Sequence, residues 1–417
     1  MGFPSVLSRS WTGTSVSRWP RDRKPLTSHE ARGRPRHNRF ANIVLENWRN
    51  FLHVDSDLQR RVFLIGPNAS GKSNFLDVFR FLHDLAAVGG GFQQAVRKRG
   101  GVSRLRSLAA RRYPDIVVCV TLNPNGDTAS SWVYELRFSQ DNRQRPIIRR
   151  ERVLRGTEEI LLRPLPEDEK DPERLTQTYL EQVNVNRDFR DIAEFFASVR
   201  YLHIVPQLVR EPDRSVGRKN DPYGGDFLEQ VATTQENVQR ARFRRIVEAL
   251  KVAVPQLSGL ELYRDNRGTP HLRGKYAHWR AQGAWQTEDQ FSDGTLRLLG
   301  LLWAILDGTG PLLLEEPELS LHPEVVRVFP QMMARIQRRL GRQILLSTHS
   351  PDVLRDSGIG LDEVLVLVPG TEGTEVRRAT DYSDVKELLD GGLTLAEALI
   401  PHTRPRNAEQ LSLFADL

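Results

Sequence analysis

The sequence contains a single cysteine, Cys119, among its 417 residues. One cysteine cannot form an intrachain disulfide, so a disulfide-stapled secreted fold is excluded and a reducing, cytoplasmic location is expected. The sequence also lacks a run of about eighteen apolar residues, the length that a membrane-spanning helix needs. Its first residues lack the apolar segment of a secretory signal, so no such signal is expected.

The composition is that of an ordinary globular protein, with 39% hydrophobic and 27% charged residues. The length suffices for a large α/β domain with a second lobe. The net charge of +7 comes mostly from residues 1–38, so the overall charge gives no argument for a nucleic-acid partner. Residues 1–38 are expected to be a disordered basic arm. A transit-like peptide or a start codon assigned too early would give the same composition.

Apolar runs and helical periodicity predict short strands and helices in the first part of the chain. Residues 40–53 are predicted to form a strand with a turn, and residues 61–65 a buried strand that ends at Gly66. The other predicted elements are a helix over 74–85, strands over 116–122 and 132–138, a Pro-rich surface loop over 164–175, and helices over 188–196 and 239–251.

The second part of the chain alternates between helices and buried strands. The pattern predicts an apolar helix over 296–306, a strand over 312–314, an amphipathic helix over 325–340 closed by Gly341, and a strand over 344–347. This alternation is typical of a mostly parallel sheet with helices on its faces. The predicted fold class is therefore α/β, and no heptad pattern indicates a long coiled coil.

A phosphate-binding motif follows the strand at 61–65. Its residues are Gly66, Pro67, Asn68, Ala69, Ser70, Gly71, Lys72 and Ser73, with Asn74 opening the next helix. The glycines let backbone N–H groups turn toward phosphate oxygens, and the start of the helix favours the same anion. Lys72 is expected to reach the β- and γ-phosphates of ATP, and the Ser73 hydroxyl to bind Mg²⁺. A chance match is disfavoured because the motif lies between a strand and a helix.

Two carboxylates, Glu315 and Glu316, follow the strand at 312–314. Beside a phosphate-binding loop, the first carboxylate can hold Mg²⁺ through water and the second can act as general base on the attacking water. Taken alone, the pair would be a solvated acidic turn. His349 follows the next strand, and we expect it to contact the γ-phosphate or the attacking water; a structural histidine is the alternative.

Ser292, Asp293 and Gly294 open the apolar helix at 296. Ser292 is a good N-cap, Gly294 permits a close approach of the backbone, and the free N–H groups of a helix start attract anions. Because this segment has no loop of its own to hold a triphosphate, we expect it to complete a site on ATP that another subunit holds. A plain helix cap is the alternative.

The order of these motifs resembles the ABC-type P-loop ATPases, and most closely the SMC, RecF and OLD-like group of DNA-repair and phage-defence ATPases. GPNASGKSN is similar to their Walker A motif, FSDGT to their signature, LLLEEPE to their Walker B, ELSLHP to their D-loop and STHSP to their H-loop. The resemblance implies an ATPase core over 39–90 and 286–400, an inserted α+β lobe over 91–285 and a flexible tail over 401–417. It also implies ATP and Mg²⁺ as ligands and a homodimer with ATP at its interface.

The sequence departs from that family in several places. Its Walker B motif begins with Glu315, where transporters usually have Asp, and its D-loop lacks the usual Asp. No glutamine can be assigned to the Q-loop, although Gln207 is a candidate. Nucleases of the OLD-like group carry a Toprim domain, for which the stretch after His349 is short, so intrinsic nuclease activity is not expected.

Two further features suggest partners. Residues 85–114 contain no acid and a cluster of basic residues: Arg97, Lys98, Arg99, Arg104, Arg106, Arg111 and Arg112. Phosphates of DNA or RNA would suit this cluster, and so would a solvated face or a docking surface for an acidic protein. The segment with Gln410, Leu411, Leu413 and Phe414 resembles the short peptide with which bacterial proteins bind the DNA sliding clamp; a tail that packs on its own domain is the alternative.

The sequence therefore predicts an ATP-hydrolysing switch that dimerises around ATP and regulates a nucleic-acid-linked process, DNA repair or anti-phage defence, through a partner protein. One alternative is a nucleic-acid-cleaving effector of the OLD-like type that acts with a separately encoded nuclease. The other, a nucleotide-binding subunit of a transporter, is disfavoured by the long insertion between Lys72 and Ser292 and by the signature FSDGT. A nuclease assay and purification without membrane protein discriminate among the three.

Overall fold

The computed structural model describes residues 38–111, 114–123, 130–214, 221, 223–277 and 284–404. Within them the strands are β1 (Phe40–Trp48), β2 (Phe51–Asp57), β3 (Arg61–Ile65), β4 (Ile116–Leu122), β5 (Trp132–Gln140), β6 (Pro146–Arg155), β7 (Glu158–Arg163), β8 (Arg200–Leu202), β9 (Leu257–Arg264), β10 (Pro270–Tyr276), β11 (Ala284–Thr287), β12 (Leu312–Glu315), β13 (Ile344–Ser347), β14 (Val364–Gly370) and β15 (Gly373–Arg378). The helices are α1 (Lys72–Ala86), α2 (Phe92–Lys98), α3 (Val102–Leu105), α4 (Pro166–Lys170), α5 (Arg190–Ala197), α6 (Pro206–Arg210), α7 (Phe227–Thr233), α8 (Glu236–Leu250), α9 (Asp293–Leu306), α10 (Pro323–Arg327), α11 (Phe329–Leu340), α12 (Pro351–Leu354), α13 (Ser383–Asp390) and α14 (Leu395–Thr403).

A mostly parallel sheet carries the sequence motifs. Its order is β15-β14-β3-β13-β12-β8, with only β15 antiparallel to its neighbour. Alternate residues of its central strands enter two different cores: Leu64 and Leu313 pack on one face, Phe63 and Leu314 on the other. The strands are continuous apolar runs because a parallel sheet is covered on both faces. The predicted class, a mostly parallel sheet flanked by helices, is confirmed.

Helix α1 packs in the core that joins this sheet to a second, antiparallel sheet of order β2-β1-β4-β5-β6-β7. Phe79 of α1 lies against Phe40 of β1 with ring centroids 4.7 Å apart, and Phe75 meets Phe51 of β2 at 6.1 Å. Aromatic pairs at these spacings add to the stabilisation from buried area. The packing fixes the start of α1, and with it the loop that precedes the helix.

The opposite face of the parallel sheet is covered by helices α7 to α14 and by the small antiparallel sheet β11-β10-β9. Trp303 of α9 is buried within this layer of helices, and its ring contacts Phe227 of α7 and Phe243 of α8. This layer sets the direction of α9. As a result, the N-terminus of α9 lies beside the segment that follows β12, where a Cβ on Gly294 would touch the carbonyl oxygen of Ser320.

Most predicted helices and strands are present, and two segments differ. The helix predicted over 325–340 is two helices, α10 and α11, that meet at Val328, because Pro330 has no N–H for the helical ladder. The segment 164–175, predicted as a surface loop, forms α4 and a 3-10 helix (Pro172–Thr176) around the buried Asp168. The acids and prolines of this segment predicted that it is exposed to solvent, but one of its carboxylates is buried in an ion cluster.

Residues 91–285, predicted as an inserted lobe, contribute β4–β7 to the antiparallel sheet and β8 to the parallel sheet. The domain boundaries, namely the core over 39–90 and 286–400, the lobe over 91–285 and the terminal segments 1–38 and 401–417, stay a prediction. Residues 1–37 and 405–417 lie outside the described residues.

A buried ion cluster supports the outer strands of the antiparallel sheet. Arg163 has no solvent exposure and forms ion pairs of 3.0 Å with both Glu151 and Asp168. Its guanidinium also lies 3.9 Å from the ring centroid of Tyr179, and the Tyr134 hydroxyl donates to Glu151 at 3.2 Å. Removing the guanidinium would leave the buried Glu151 without its ion-pair partner, and Asp168 with only the partly exposed Arg174 at 3.1 Å. Breaking a buried pair in this way is far more costly than losing an exposed one.

We expect Arg163→Met to lower the free energy of unfolding by ~3–5 kcal/mol. Arg152→Met is the matched control, because Arg152 pairs at 2.8 Å with the partly exposed Glu159 and an exposed pair contributes at most ~1 kcal/mol. Urea unfolding, monitored by circular dichroism, measures the free energy of unfolding of both variants. Equal midpoints for the two variants would show that the cluster does not stabilise the sheet.

Candidate functional site

The loop from Gly66 to Ser73 joins β3 to α1 and closes around its own lysine. Lys72 is only 6% exposed, and its Nζ donates to the carbonyl oxygens of Gly66 and Pro67, both at 3.1 Å. Burial lowers the pKa of Lys72 to about 8, although Glu316 and Glu315 act in the opposite direction. The loop therefore holds a desolvated amine. Phosphate oxygens could replace the two carbonyl oxygens that accept its hydrogen bonds.

The backbone of this loop is shaped to receive an anion. Ala69 and Gly71 have φ of 61° and 97°, and a Cβ on Gly71 would meet the carboxamide of Asn50. Helix α1 begins without a side-chain cap, so its first N–H groups are free for a ligand. The buried Ser70 Oγ has no hydrogen-bond partner among the described residues. These features fit a triphosphate.

Asn50, in the turn between β1 and β2, supports the loop from outside, and the sequence analysis missed it. Its Nδ2 donates to the Ser70 carbonyl at 3.0 Å and to Thr374 Oγ1 at 2.8 Å. Asn74 Nδ2 donates to Asn50 Oδ1 at 2.7 Å, so the Asn74 carboxamide braces the loop through Asn50. In the sequence, only the position of Asn50, after a strand and close to the phosphate-binding motif, could have indicated this role.

Glu315 ends β12 and lies against the start of α1. One of its carboxylate oxygens accepts from the Ser73 hydroxyl and the other from the Tyr201 hydroxyl. Burial and the neighbouring Glu315 raise the pKa of Tyr201, so its hydroxyl keeps its proton and donates. Tyr201 was not predicted from the sequence; it lies on the three-residue strand β8.

The pair of Ser73 and Glu315 fits Mg²⁺. A hydroxyl and a carboxylate in mutual contact are both oxygen ligands, the type that Mg²⁺ prefers. Within the described residues, no group of three or more His, Cys, Asp or Glu side chains could hold a metal. Mg²⁺ in nucleotide sites does not need such a group, since substrate phosphates and waters supply most of its ligands.

Glu316, the second carboxylate of the Glu315–Glu316 pair, contacts His349. His349 Nε2 lies 3.0 Å from Glu316 Oε1, and Glu316 has a φ of 42°, in the left-handed region that a residue with a Cβ rarely adopts. The hydrogen bond with His349 lowers the pKa of Glu316, and burial only partly opposes it. A strained, ionised carboxylate held by an imidazole is suited to act as a general base.

Glu318 holds His349 in place. It is 7% exposed, and one of its oxygens accepts from the Thr348 hydroxyl and from the His349 N–H at 3.3 Å. In the sequence, Glu318 is the first residue of the atypical D-loop ELSLHP, and no role was predicted for it. His322, in the same loop, accepts from the N–H of Glu324 at 3.2 Å and caps α10.

The predicted signature begins α9. Ser292 caps the helix by accepting from the N–H of Thr295 at 3.2 Å, as its sequence predicts. Asp293 is held by Arg210 of α6 at 2.6 Å, and Arg210 also donates to the Phe291 carbonyl at 2.7 Å. Arg210 was not foreseen. It ties the signature to the chain that follows β8.

The structure brings together most of the predicted site residues but not all of them. Lys72, Ser73, Glu315, Glu316 and His349 meet at the carboxyl ends of adjacent parallel strands, where open α/β sheets bind their ligands. In the described part of the chain, no hydrogen bond or ion pair joins residues 292–294 to the loop 66–73. The signature contacts the segment after β12 instead.

The remaining predicted residues lie elsewhere. Gln207 is exposed on α6, just after β8, and its side chain makes no hydrogen bond to another described residue that would give it a role. In the basic cluster, Arg99 is buried and paired with Asp77 and Asp84, so it is not available to a partner. Arg112 and the tail residues Gln410, Leu411, Leu413 and Phe414 lie outside the described residues.

The fold and these motifs place the chain among the ABC-type P-loop ATPases, and its fold is similar to that of SMC heads. A family model described as "AAA domain, putative AbiEii toxin, Type IV TA system" matches residues 61–355, and the chain belongs to this family. A crystal structure of an Smc head bound to the C-winged helix domain of ScpA matches with a TM-score of 0.52 at 13% identity, covering 81% of this chain and 96% of that chain. At that identity the likeness shows the fold alone.

Curated relatives match over a smaller region. The methionine import ATP-binding protein MetN of Burkholderia thailandensis is 32% identical over 126 residues, 29% of this chain and 36% of that protein. MetN of Xanthomonas oryzae pv. oryzae is 31% identical over 176 residues, 38% of this chain and 50% of that protein. The chain thus spans half or less of the length of these relatives. Among the described residues, no helix is long and apolar enough to cross a membrane.

Proposed function

We propose that this protein is an ATP-hydrolysing switch that dimerises around ATP and regulates a nucleic-acid-linked process through a partner protein. The observation that supports hydrolysis is the convergence of Lys72, Ser73, Glu315 and the Glu316–His349 pair at one edge of the parallel sheet. Glu316 is the general base on the attacking water, Lys72 neutralises phosphate charge, and His349 orients Glu316. Ser73 and Glu315 would hold Mg²⁺, which neutralises phosphate charge when bound.

Dimerisation is proposed because, among the described residues, no hydrogen bond or ion pair joins the signature to the phosphate-binding loop of its own chain. Ser292 is exposed at the N-terminus of α9, and its hydroxyl and the first N–H groups of the helix suit the γ-phosphate of an ATP held by a second copy. A two-fold axis would provide both halves to two ATP molecules. Hydrolysis would then remove the ligand contacts that bridge the subunits and open the dimer.

Oligomeric state tests this proposal directly. We expect Glu316→Gln with ATP and Mg²⁺ to be a dimer by light scattering, because the bridging ligand is retained, and to be a monomer without nucleotide. Lys72→Ala is the matched control and should stay monomeric under both conditions. A Glu316→Gln protein that binds ATP and remains a monomer would contradict the switch.

A nucleic-acid target is proposed from the basic residues that stay exposed on α2 and α3, namely Arg97, Arg104 and Lys98, the last of which pairs with Asp84 at 3.4 Å. DNA repair and anti-phage defence stay proposals, as does clamp binding through residues 410–414. The MetN relatives are named as import proteins, but those of Burkholderia thailandensis and Xanthomonas oryzae match only 29% and 38% of this chain, so transport is the weaker candidate. A nuclease effector acting with a separate subunit remains the alternative that a nuclease assay tests.

A further inference from the structure

Strand β8 lies at the edge of the parallel sheet, beside the strand that carries the candidate metal carboxylate. In the parallel register Tyr201 is opposite Leu313. Residues two apart on a strand share a face, so Tyr201 points to the same side of the sheet as Glu315. The Tyr201 hydroxyl donates to Glu315 Oε2, while Ser73 donates to Oε1. Each oxygen of this carboxylate therefore has its own hydroxyl partner.

The ring of Tyr201 is contacted by a basic residue of α1. The guanidinium of Arg80 lies 4.3 Å from the ring centroid, and Arg80 is itself 3.7 Å from Asp77, one turn earlier. Tyr201 also packs against the core that contains α1 and the inner strands. A cation over an aromatic ring fixes the ring in place, so the hydroxyl reaches Glu315 from a restrained position.

A glutamate needs such a restraint more than an aspartate does. Glu315 has one more methylene and one more rotatable bond than the Asp that transporters usually have at this motif position. Fixing the longer side chain costs more rotamer entropy. If the Ser73 hydroxyl turns to bind a metal, Tyr201 is the hydroxyl that stays on the carboxylate.

We propose that Tyr201 is a positioning residue that holds Glu315 in the orientation required for Mg²⁺. The proposal rests on the proposed function, in which Ser73 and Glu315 hold the ion. It assigns the edge strand β8 a part in metal affinity, in addition to its part in the sheet. Groups that orient metal ligands from behind commonly change metal affinity by on the order of tenfold or more when removed.

The test measures how much free Mg²⁺ is required for binding of a fluorescent ATP analogue, at equilibrium and without turnover. We expect Tyr201→Phe to need about tenfold more Mg²⁺ than the wild type, while binding of the analogue in EDTA is unchanged. Tyr223→Phe is the matched control, since it removes a hydroxyl from a half-exposed ring in the same region. It should leave the Mg²⁺ requirement at the wild-type value.

A double-mutant cycle separates positioning from a general structural effect. In a Glu315→Asp background the shorter side chain cannot reach the Tyr201 hydroxyl. Adding Tyr201→Phe to that background should therefore not change the Mg²⁺ requirement any further. Should Tyr201→Phe fail to fold, Arg80→Met, which frees the ring and keeps the hydroxyl, should shift the requirement in the same direction. An unchanged Mg²⁺ requirement in the folded variant would overturn the role of Tyr201. Wild-type protein that binds the analogue without any Mg²⁺ dependence would instead refute the proposed metal site.

Discussion

Lys72→Ala is expected to weaken ATP binding by at least ~100-fold, since it removes a desolvated cation from the phosphate contacts. Glu316→Gln is expected to keep ATP binding within about threefold of wild type and to lower the rate of hydrolysis by ~10²–10⁴, the range typical of a lost general base. The carboxamide has nearly the shape of the carboxylate and can still contact His349 Nε2, which lies 3.0 Å from Glu316 Oε1. It cannot accept a proton from water.

Equilibrium dialysis of labelled ATP and a phosphate-release assay measure the two effects separately. Lys251→Ala and Glu248→Gln are the matched controls, because they remove the same two charges from an exposed ion pair at the end of α8. Both should bind and hydrolyse ATP as the wild type does. Hydrolysis by Glu316→Gln at the wild-type rate would remove Glu316 from its assigned role, and tight ATP binding by Lys72→Ala would do the same for Lys72.

The sequence could predict the residues that sit in contiguous motifs. The loop 66–73 and the Glu315–Glu316 pair each follow a short apolar strand, and parallel strands bring their carboxyl ends to one edge of the sheet. The same property of parallel sheets explains why His349, which follows β13, lies at this edge. These predictions needed only local pattern and a general property of parallel sheets.

The residues that support the motifs could not be predicted in this way. Tyr201 is separated from Glu315 by 114 positions, and Asn50 is separated from Thr374 by 324 positions. Strand β8 is three residues long, too short for a periodic pattern, so its place beside β12 had no local signal. Contacts of this kind depend on the strand order, which the sequence pattern did not contain.

Charge clusters were misleading for a related reason. The basic segment 85–114 has no acid of its own, yet Arg99 pairs with Asp77 and Asp84 of α1, outside that window. Likewise Asp168, in a segment rich in acids and prolines, is buried against Arg163. A count of charges along the chain cannot show which of them find partners in space.

Complementation between two inactive variants tests whether the ATP site is shared between chains. The signature variant must block the γ-phosphate position without damage to its own chain. Gly294→Asp places a carboxylate there, but its Cβ would also meet the carbonyl oxygen of Ser320, next to the catalytic segment. Ser292→Asp is the cleaner variant, because Asp is as good an N-cap as Ser and the position is exposed. Either variant alone is expected to lose hydrolysis, since its carboxylate repels the phosphate.

Mixing Lys72→Ala chains with Ser292→Asp chains should then restore activity. In a mixed dimer one site combines the intact loop of one chain with the intact signature of the other, and the second site combines the two defects. Each mixed dimer should therefore hydrolyse ATP at up to roughly half of the wild-type rate, because one of its two sites is intact. Native mass spectrometry establishes that mixed dimers form. Wild-type activity of Ser292→Asp alone, or no rescue when mixed dimers are present, would mean that residues 292–294 do not act on the ATP of a second chain.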